Sequence, residues 1–321
     1  MRPLVSVIVL SFNRVNETAE CLRSVFEQDY RPFEVVVLDN GSVDGSPAMI
    51  KRDFPHTRLI ELDENVGACA GRNLALEACH GRFVLQVDND AVLSANCMRL
   101  MARRLSEEKD LGIAFARIVD PGTGRSYRPG YGNAHVDDEF YTWRFHGCAA
   151  MIRRRAIEEA GYYLPEEFFR AAEENDLAVR VLDAGYNILY MPAAVARHKL
   201  SALARDTDEI AYLTVRNNLA VAWKFLPLSR AAALTLWRVP HYVFSRLVHL
   251  DAGAFARSFG IVGNAAFALR NRRPVSRGTA LLIDALTISP AMTLARMRAL
   301  REAPGEVGFI KLSKRRLTGA A

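Results

Sequence analysis

Asp88-Asn89-Asp90 closes a strand-like run at residues 83–87. Alternate side chains of a strand share a face, so Asp88 and Asp90 should point one way and Asn89 the other. Two hard carboxylates at a strand end suit Mg²⁺ or Mn²⁺ with coordination positions left over for phosphate oxygens. An acidic turn has the same spelling. Asp39 closes a second apolar run, 33–38. A carboxylate there can accept hydrogen bonds from a base or a ribose, and Asp39-Asn40-Gly41-Ser42 is equally good turn chemistry. In Asn65-Val66-Gly67-Ala68-Cys69-Ala70-Gly71-Arg72-Asn73, two glycines allow close backbone approach at a helix start, and Arg72 can pair with a phosphate or a carboxylate. Glu173-Glu174-Asn175-Asp176 gathers three carboxylates, either as ordinary first-turn partners of a helix dipole or as a source of a general base. His198, beyond the last expected strand, is a candidate third metal ligand.

The frame that must position these groups is written in alternating apolar runs and amphipathic stretches. Strands are expected at 5–12, 33–38, 58–62 and 83–87. Helices are expected at 17–28, with Asn16 as N-cap, and at 46–52, 68–79 and 95–105. This rhythm predicts an α/β fold built on a Rossmann-like, doubly wound, mostly parallel sheet, whose ligands sit beyond the C-terminal ends of the strands. Polar residues gather where the rule requires them: Ser11-Phe12-Asn13-Arg14 after the first strand, Asp39 to Ser42 after the second, Asp88 to Asp90 after the fourth. After residue 110 the pattern loosens. We expect a Gly/Pro-rich loop at 120–139, a strand at 140–151, a short helix at 153–160, a helix at 172–184 stopped by Gly185, and a last strand at 186–190.

The chain of 321 residues is 50% hydrophobic and 24% charged, enough for one large core and a second smaller unit. Its five cysteines show no CxxC spacing and read as reduced, buried thiols of a cytoplasmic protein. The apolar run after Met1-Arg2-Pro3 is too short for a signal peptide and stops at Ser11 without a cleavage site. No stretch is long and apolar enough for a spanning helix. No GxGxxG follows the first strand, which argues against a dinucleotide enzyme. The absence of a Gly-rich, Lys/Arg-bearing loop there argues against a sugar-1-phosphate nucleotidyltransferase.

Taken in order, VSVIVLSFNR, EVVVLDNGSVDGS, ENVGACAGRNLAL, VLQVDNDAVL, GCAAMIRRRAIEEAGYYLPEEFF, EENDLAVRVLDAGY and ARHKLS resemble glycosyltransferase family 2, with the GT-A fold, over residues 4 to about 201. The resemblance implies an inverting enzyme that moves a sugar from a UDP-, dTDP- or GDP-linked donor to a hydroxyl acceptor, with Mg²⁺ or Mn²⁺. It implies that Asp39 binds the base, that Asp88 and Asp90 are the D-x-D pair with Asp90 the direct metal ligand, and that His198 lies near the metal. Glu174 falls where the family has an aspartate as catalytic base, with Asp176 a near rival. Ser11, Asn13, Arg14, Asn65, Gly67, Arg72 and Asn89 would line the donor site, and Gly147 lies in the stretch that approaches donor sugar and acceptor. A silent nucleotide-sugar-binding module is the alternative from a different class.

Charge divides the chain. Residues 1–198 carry 23 Lys/Arg against 29 Asp/Glu, and residues 199–321 carry 19 against 7. We therefore expect a catalytic domain at 1–207 and a basic, helical region at 208–321. Three roles stay open for the second: a peripheral platform on an anionic membrane, homo-oligomerisation, or a cover over sheet and acceptor cleft. Trp223, Trp237, Tyr242 and Phe244 interleave with arginines there, which favours the platform and a place on the inner face of the cell membrane. Arg216-Asn217-Asn218 resembles an Arg-Asn pair of relatives, placing Arg216 near the diphosphate. None of the standard nucleic-acid modules is present. Saccharide, lipid-linked and small-molecule hydroxyl acceptors all remain open, with cell-envelope synthesis ahead of natural-product chemistry.

Overall fold

The computed structural model describes residues 2–127, 136–164, 168, 171–199, 207–248, 253–288 and 292–302. Four parallel strands, β1 (Val5–Ser11), β2 (Phe33–Asp39), β3 (Arg58–Glu61) and β4 (Phe83–Asp88), alternate with helices α1 (Val15–Phe26), α2 (Ser46–Asp53) and α3 (Gly67–Glu77). β1 is buried along nearly its whole length, as a strand covered on both faces must be. α1 turns Thr18, Ala19, Cys21, Leu22 and Val25 inward at helical spacing. Asn16 lies inside α1 rather than at its cap. Arg14 takes the cap position in the left-handed region, and the Asp44 carboxylate accepts the Val15 N–H at 2.8 Å. The first orphan donor of the helix is thus satisfied from a neighbouring loop.

Beyond β4 the sheet is mixed. β5 (Ala91–Leu93), β6 (Leu111–Val119), β7 (Phe140–Thr142), β8 (Ala149–Arg153) and β9 (Asn187–His198) join it, with α4 (Cys97–Glu107), α5 (Arg154–Ala160) and α6 (Glu173–Asp183) between them. The order is β3-β2-β1-β4-β8-β6-β9-β5, with β7 added on β9. β8 runs antiparallel to β4 and β6, while β9 runs parallel to β6. The α/β sheet expected from the sequence is therefore parallel through its first four strands and mixed after them. The strand expected at 140–151 is two strands that pair with different partners, and the one expected at 186–190 continues to His198. Part of the loop expected at 120–139, residues 128–135, lies outside the described residues.

Helices α7 (Thr207–Phe225), α8 (Leu228–Val248), α9 (Ala254–Arg270), α10 (Arg277–Ile288) and α11 (Leu294–Glu302) complete the fold. α7, α8, α10 and α11 share the sheet's core, while Ile261 of α9 packs with Leu219 of α7 and Tyr242 of α8 in a separate cluster. Val221, Phe225, Leu226, Ile283, Met292, Met297 and Leu300 are buried in one cluster with the strands. Burying each such side chain fully contributes about 1.5–3 kcal/mol. The Tyr141 N–H donates to the Met292 carbonyl at 2.8 Å, and Arg301 donates to the Tyr186 carbonyl at 2.7 Å. Among the described residues no helix is long and apolar enough to cross a membrane.

Candidate active site

The parallel strands end together. Register pairs Ser11 with Asp39 across β1 and β2, and Leu10 with Asp88 across β1 and β4. The Asp39 carboxylate is buried and accepts the Ser42 N–H at 2.8 Å and the Ser42 hydroxyl at 2.7 Å. The turn role of Asp39 leaves room for a ligand, since each carboxylate oxygen has a second acceptor site. The Ser11 hydroxyl is buried at the same edge without a hydrogen-bond partner among the described residues. The Asn13 N–H donates to Ser42 Oγ at 2.7 Å, and Asn13 Oδ1 accepts the Val43 N–H at 3.0 Å. Asn65 Oδ1 accepts from Asn40 Nδ2 and from the Gly67 N–H, both at 2.9 Å, which fixes the left-handed Gly67 at the start of α3. A Cβ at Gly71 would overlap Leu10 and crowd Leu38, so the second glycine serves helix–strand packing.

Asp88, Asp90 and His198 present ligand atoms that all lie within 4.8 Å of one another. His198 Nε2 stands 2.9 Å from Asp90 Oδ1, because β5 carries Ala91 opposite His198 and brings the far end of β9 to the D-x-D turn. Asn89 points the other way, as expected, and donates to the Asn13 carbonyl at 3.1 Å and to Thr18 Oγ1 at 2.9 Å. Two carboxylates and one imidazole make a donor set that fits Mn²⁺ or Mg²⁺. Two arginines contact the same carboxylates. Arg14 pairs closely with Asp90, and Arg72 reaches Asp88 at 3.3 Å and Glu173 at 2.8 Å. Burial alone would lower the Arg72 pKa, but Tyr163, Glu173 and Asp88 outweigh it and hold the guanidinium charged.

Arg72 ties α3 to α6, and α6 brings Glu174 into place. Glu174 Oε1 lies so close to Gly147 that an added Cβ would overlap it. The next residue, Cys148, accepts the Asp88 N–H through its carbonyl at 3.0 Å. Gln86 Nε2 donates to the Gly147 carbonyl at 2.8 Å, and Gln86 Oε1 accepts from the Tyr163 hydroxyl at 2.6 Å. Glu174 is thus one residue's width from the D-x-D strand. Burial, followed by the Glu173 charge, pushes its pKa up to about 8, with Arg72 opposing. A carboxylate so raised has a strong affinity for a proton, as a general base acting near neutral pH requires.

The neighbouring acid differs. Asp176 accepts from Arg180 Nε at 2.7 Å and from Lys224 Nζ at 3.1 Å, and the Asp176 and Lys224 side chains are 1% exposed. With two cations on its oxygens, Asp176 anchors α7 to α6. Removing one partner of such a pair leaves a buried charge, a cost of about 3–5 kcal/mol. Arg216 donates to Asn217 Oδ1 at 2.8 Å and lies over the Tyr212 ring, while Asn217 Nδ2 holds the Ala171 carbonyl at 2.6 Å. Asn218 Oδ1 accepts from Arg144 and Asn175, both at 2.9 Å.

Composition gave no sign of two backbone features. Asn13-Arg14 and Ala171-Ala172 are consecutive non-glycine pairs with φ between 56° and 69°. They precede α1 and α6, the helices that border the acidic cluster. Each residue in that region costs on the order of 1 kcal/mol and persists where surrounding contacts enforce it. Lys224 and Arg144 were also missed. The lone lysine in the apolar stretch 219–226 was the available signal.

The glycosyl transferase family 2 model matches residues 6–161. An N-acetylglucosaminyltransferase of Bradyrhizobium diazoefficiens is 29% identical over 70% of this chain and 51% of its own length. One from Bradyrhizobium elkanii is 32% identical over 36% of this chain and 67% of its length. The chain spans about half the length of the first curated relatives it matches. A mannosyltransferase from Pyrobaculum calidifontis, solved with GDP-Man and Mn²⁺, superposes with a TM-score of 0.55 at 20% identity, over 99% of this chain and 88% of that one.

Proposed function

Because the chain belongs to glycosyl transferase family 2, we propose that it transfers a sugar from a nucleoside-diphosphate donor to a hydroxyl acceptor by a single displacement that inverts the anomeric carbon. The observation that carries this reading is the convergence of Asp88, Asp90 and His198 beside a carboxyl raised to about 8, Glu174, at the C-terminal edge of the parallel strands. Asp39 and the unsatisfied Ser11 hydroxyl offer acceptors and a donor for base and ribose. Asp88, Asp90 and His198 would hold Mg²⁺ or Mn²⁺, which supplies charge stabilisation for the departing diphosphate. Arg14 and Arg72, which pair with these carboxylates, would supply positive charge to the phosphate oxygens of the donor. Glu174 takes the proton from the acceptor hydroxyl as that oxygen attacks the anomeric carbon. The ion pairs of Asp176 with Arg180 and Lys224 support giving this role to Glu174 and an anchoring role to Asp176.

The exposed large hydrophobic residues favour a membrane surface as the setting. Most stand on α8 and α9, among them Leu236, Trp237, Phe244, Phe259, Val262 and Phe267. Trp237, His241 and Phe244 fall at helical spacing along one stripe, with Arg238 over the Trp237 ring. An aromatic stripe flanked by arginines suits an anionic interface, and cell-envelope synthesis supplies acceptors there. Glu174→Gln tests the catalytic assignment. Turnover should fall about 10²–10⁴-fold while donor affinity stays within about twofold. Equal losses in both would move the base elsewhere.

A further inference from the structure

We propose that the cavity beside the starts of β4 and β6 is a second anion site, which takes a diphosphate group apart from the candidate active site. The inference goes beyond the transferase reading and does not depend on it. The cavity measures about 360 Å³, within the range of small-ligand sites. Five cations line it: Arg82, Lys109, Arg153, Arg154 and Arg155. They come from separate places in the chain. Arg82 precedes β4, Lys109 precedes β6, Arg153 closes β8, and Arg154 and Arg155 follow in α5. Register sets Arg153 opposite Phe83, the first residue of β4. Asp88 ends the same strand, about 16 Å further on. The cavity and the D-x-D turn therefore lie at opposite edges of the sheet.

Charge there is concentrated and only partly cancelled. Arg155 pairs with Glu159 at 2.6 Å, whereas Arg82, Lys109, Arg153 and Arg154 make no ion pair among the described residues. Carbonyl groups fix two of these four in place without neutralising them. Arg153 is buried and donates to the carbonyls of Leu105 at 2.6 Å, Glu108 at 2.8 Å and Leu111 at 2.9 Å. Arg154 Nε donates to the Gly81 carbonyl at 2.7 Å, while its Nη2 is buried without a hydrogen-bond partner among the described residues. Arg82 and Arg153 both lie against the Phe83 ring, 5.6 and 5.4 Å from its centroid. Burial, followed by the Arg82 charge, pushes the Arg153 pKa down, with Tyr186, Asp110 and Glu108 opposing. A bound anion would relieve this crowding of like charges. Among the described residues the one carboxylate on the walls is Glu158, which is exposed. Set against Glu158 and Glu159, the five cations leave three positive charges. A single phosphate group carries about two negative charges, so a diphosphate is the better match, and guanidinium forks suit its oxygens.

The test is calorimetric titration of the full chain with inorganic pyrophosphate in EDTA, with phosphate and sulfate as references. Pyrophosphate should bind about tenfold more tightly than either. The double variant Arg82→Gln and Lys109→Gln removes two exposed cations and should weaken that binding about tenfold. Glu158→Gln removes the carboxylate on the wall and should tighten it about threefold, a gain that misfolding does not produce. Asp90→Ala, at the other edge of the sheet, should leave it within about twofold. No binding, equal binding of the three anions, or an affinity lost in Asp90→Ala and kept in the double variant would overturn the proposal. A nucleotide and a lipid can both carry the diphosphate group. Titration with UDP and with farnesyl diphosphate tells the two sources apart, the source being the one that loses more affinity in the double variant. Since the readout is binding in EDTA, its failure is distinct from failure of metal-dependent transfer.

Discussion

At the scale of single residues, Glu174 is the proposed base and its environment sets the conditions. A base must be unprotonated to act, so kcat/KM should rise about tenfold per pH unit below about 8 and level above it. The same environment costs stability. The folded pKa lies above the ordinary carboxyl value, so the protein loses stability as pH rises from that value through about 8, while a glutamine at 174 does not. Thermal melts should show Glu174→Gln gaining on the parent protein across this window, each pKa unit being worth about 1.4 kcal/mol. A constant difference across pH would contradict the raised pKa. Asp88, Asp90, His198 and Glu174 were singled out in the sequence by the order of the motifs around them, since their own spacing also fits acidic turns and helix first turns. Their counter-charges were not. Arg72 meets Glu173 across 101 positions of chain, a pairing that no local pattern announces.

Among the elements, the decisive contact is between the segment before β8 and the first turn of α6. Gly147 leaves room for the Glu174 carboxyl. Gly147→Ala should push that carboxyl aside and reduce kcat on the order of 10²-fold, as misplacing a catalytic group by about 1 Å does. Donor KM should change little, and a KM effect equal to the kcat effect would show that Gly147 serves donor binding instead. The first half of the sheet was readable because parallel strands buried on both faces are near-continuous apolar runs between amphipathic helices. β6 and β8 were obscured for a related reason. They are as apolar as β1, but no helix separates β8 from β7, and the directions of both depend on pairings distant in the chain. His198 reaches Asp90 only because β9 runs twelve residues, past the five the sequence suggested.

For the whole molecule, the division of charge was visible in the sequence, while the sharing of one core between the halves was not. Lys224 and Asp176 meet in that core, and α10 and α11 seal the β7 edge. The exposed aromatic residues of α8 and α9 face outward instead, together with Arg270 at the end of α9. The protein should therefore co-sediment with anionic vesicles at low salt, weakly or not at all with neutral ones, and release as salt screens the arginines. Failure to bind anionic vesicles at low salt would refute the membrane setting without touching the transfer chemistry. That chemistry is tested most directly by incubating the protein with UDP-, dTDP- and GDP-sugars, with Mn²⁺ or Mg²⁺ and again with EDTA, and measuring nucleoside diphosphate release and donor binding. The site predicts metal-dependent release from one donor, abolished in Asp90→Ala. No release and no metal-dependent binding of any donor would contradict it and mark the fold as a silent module.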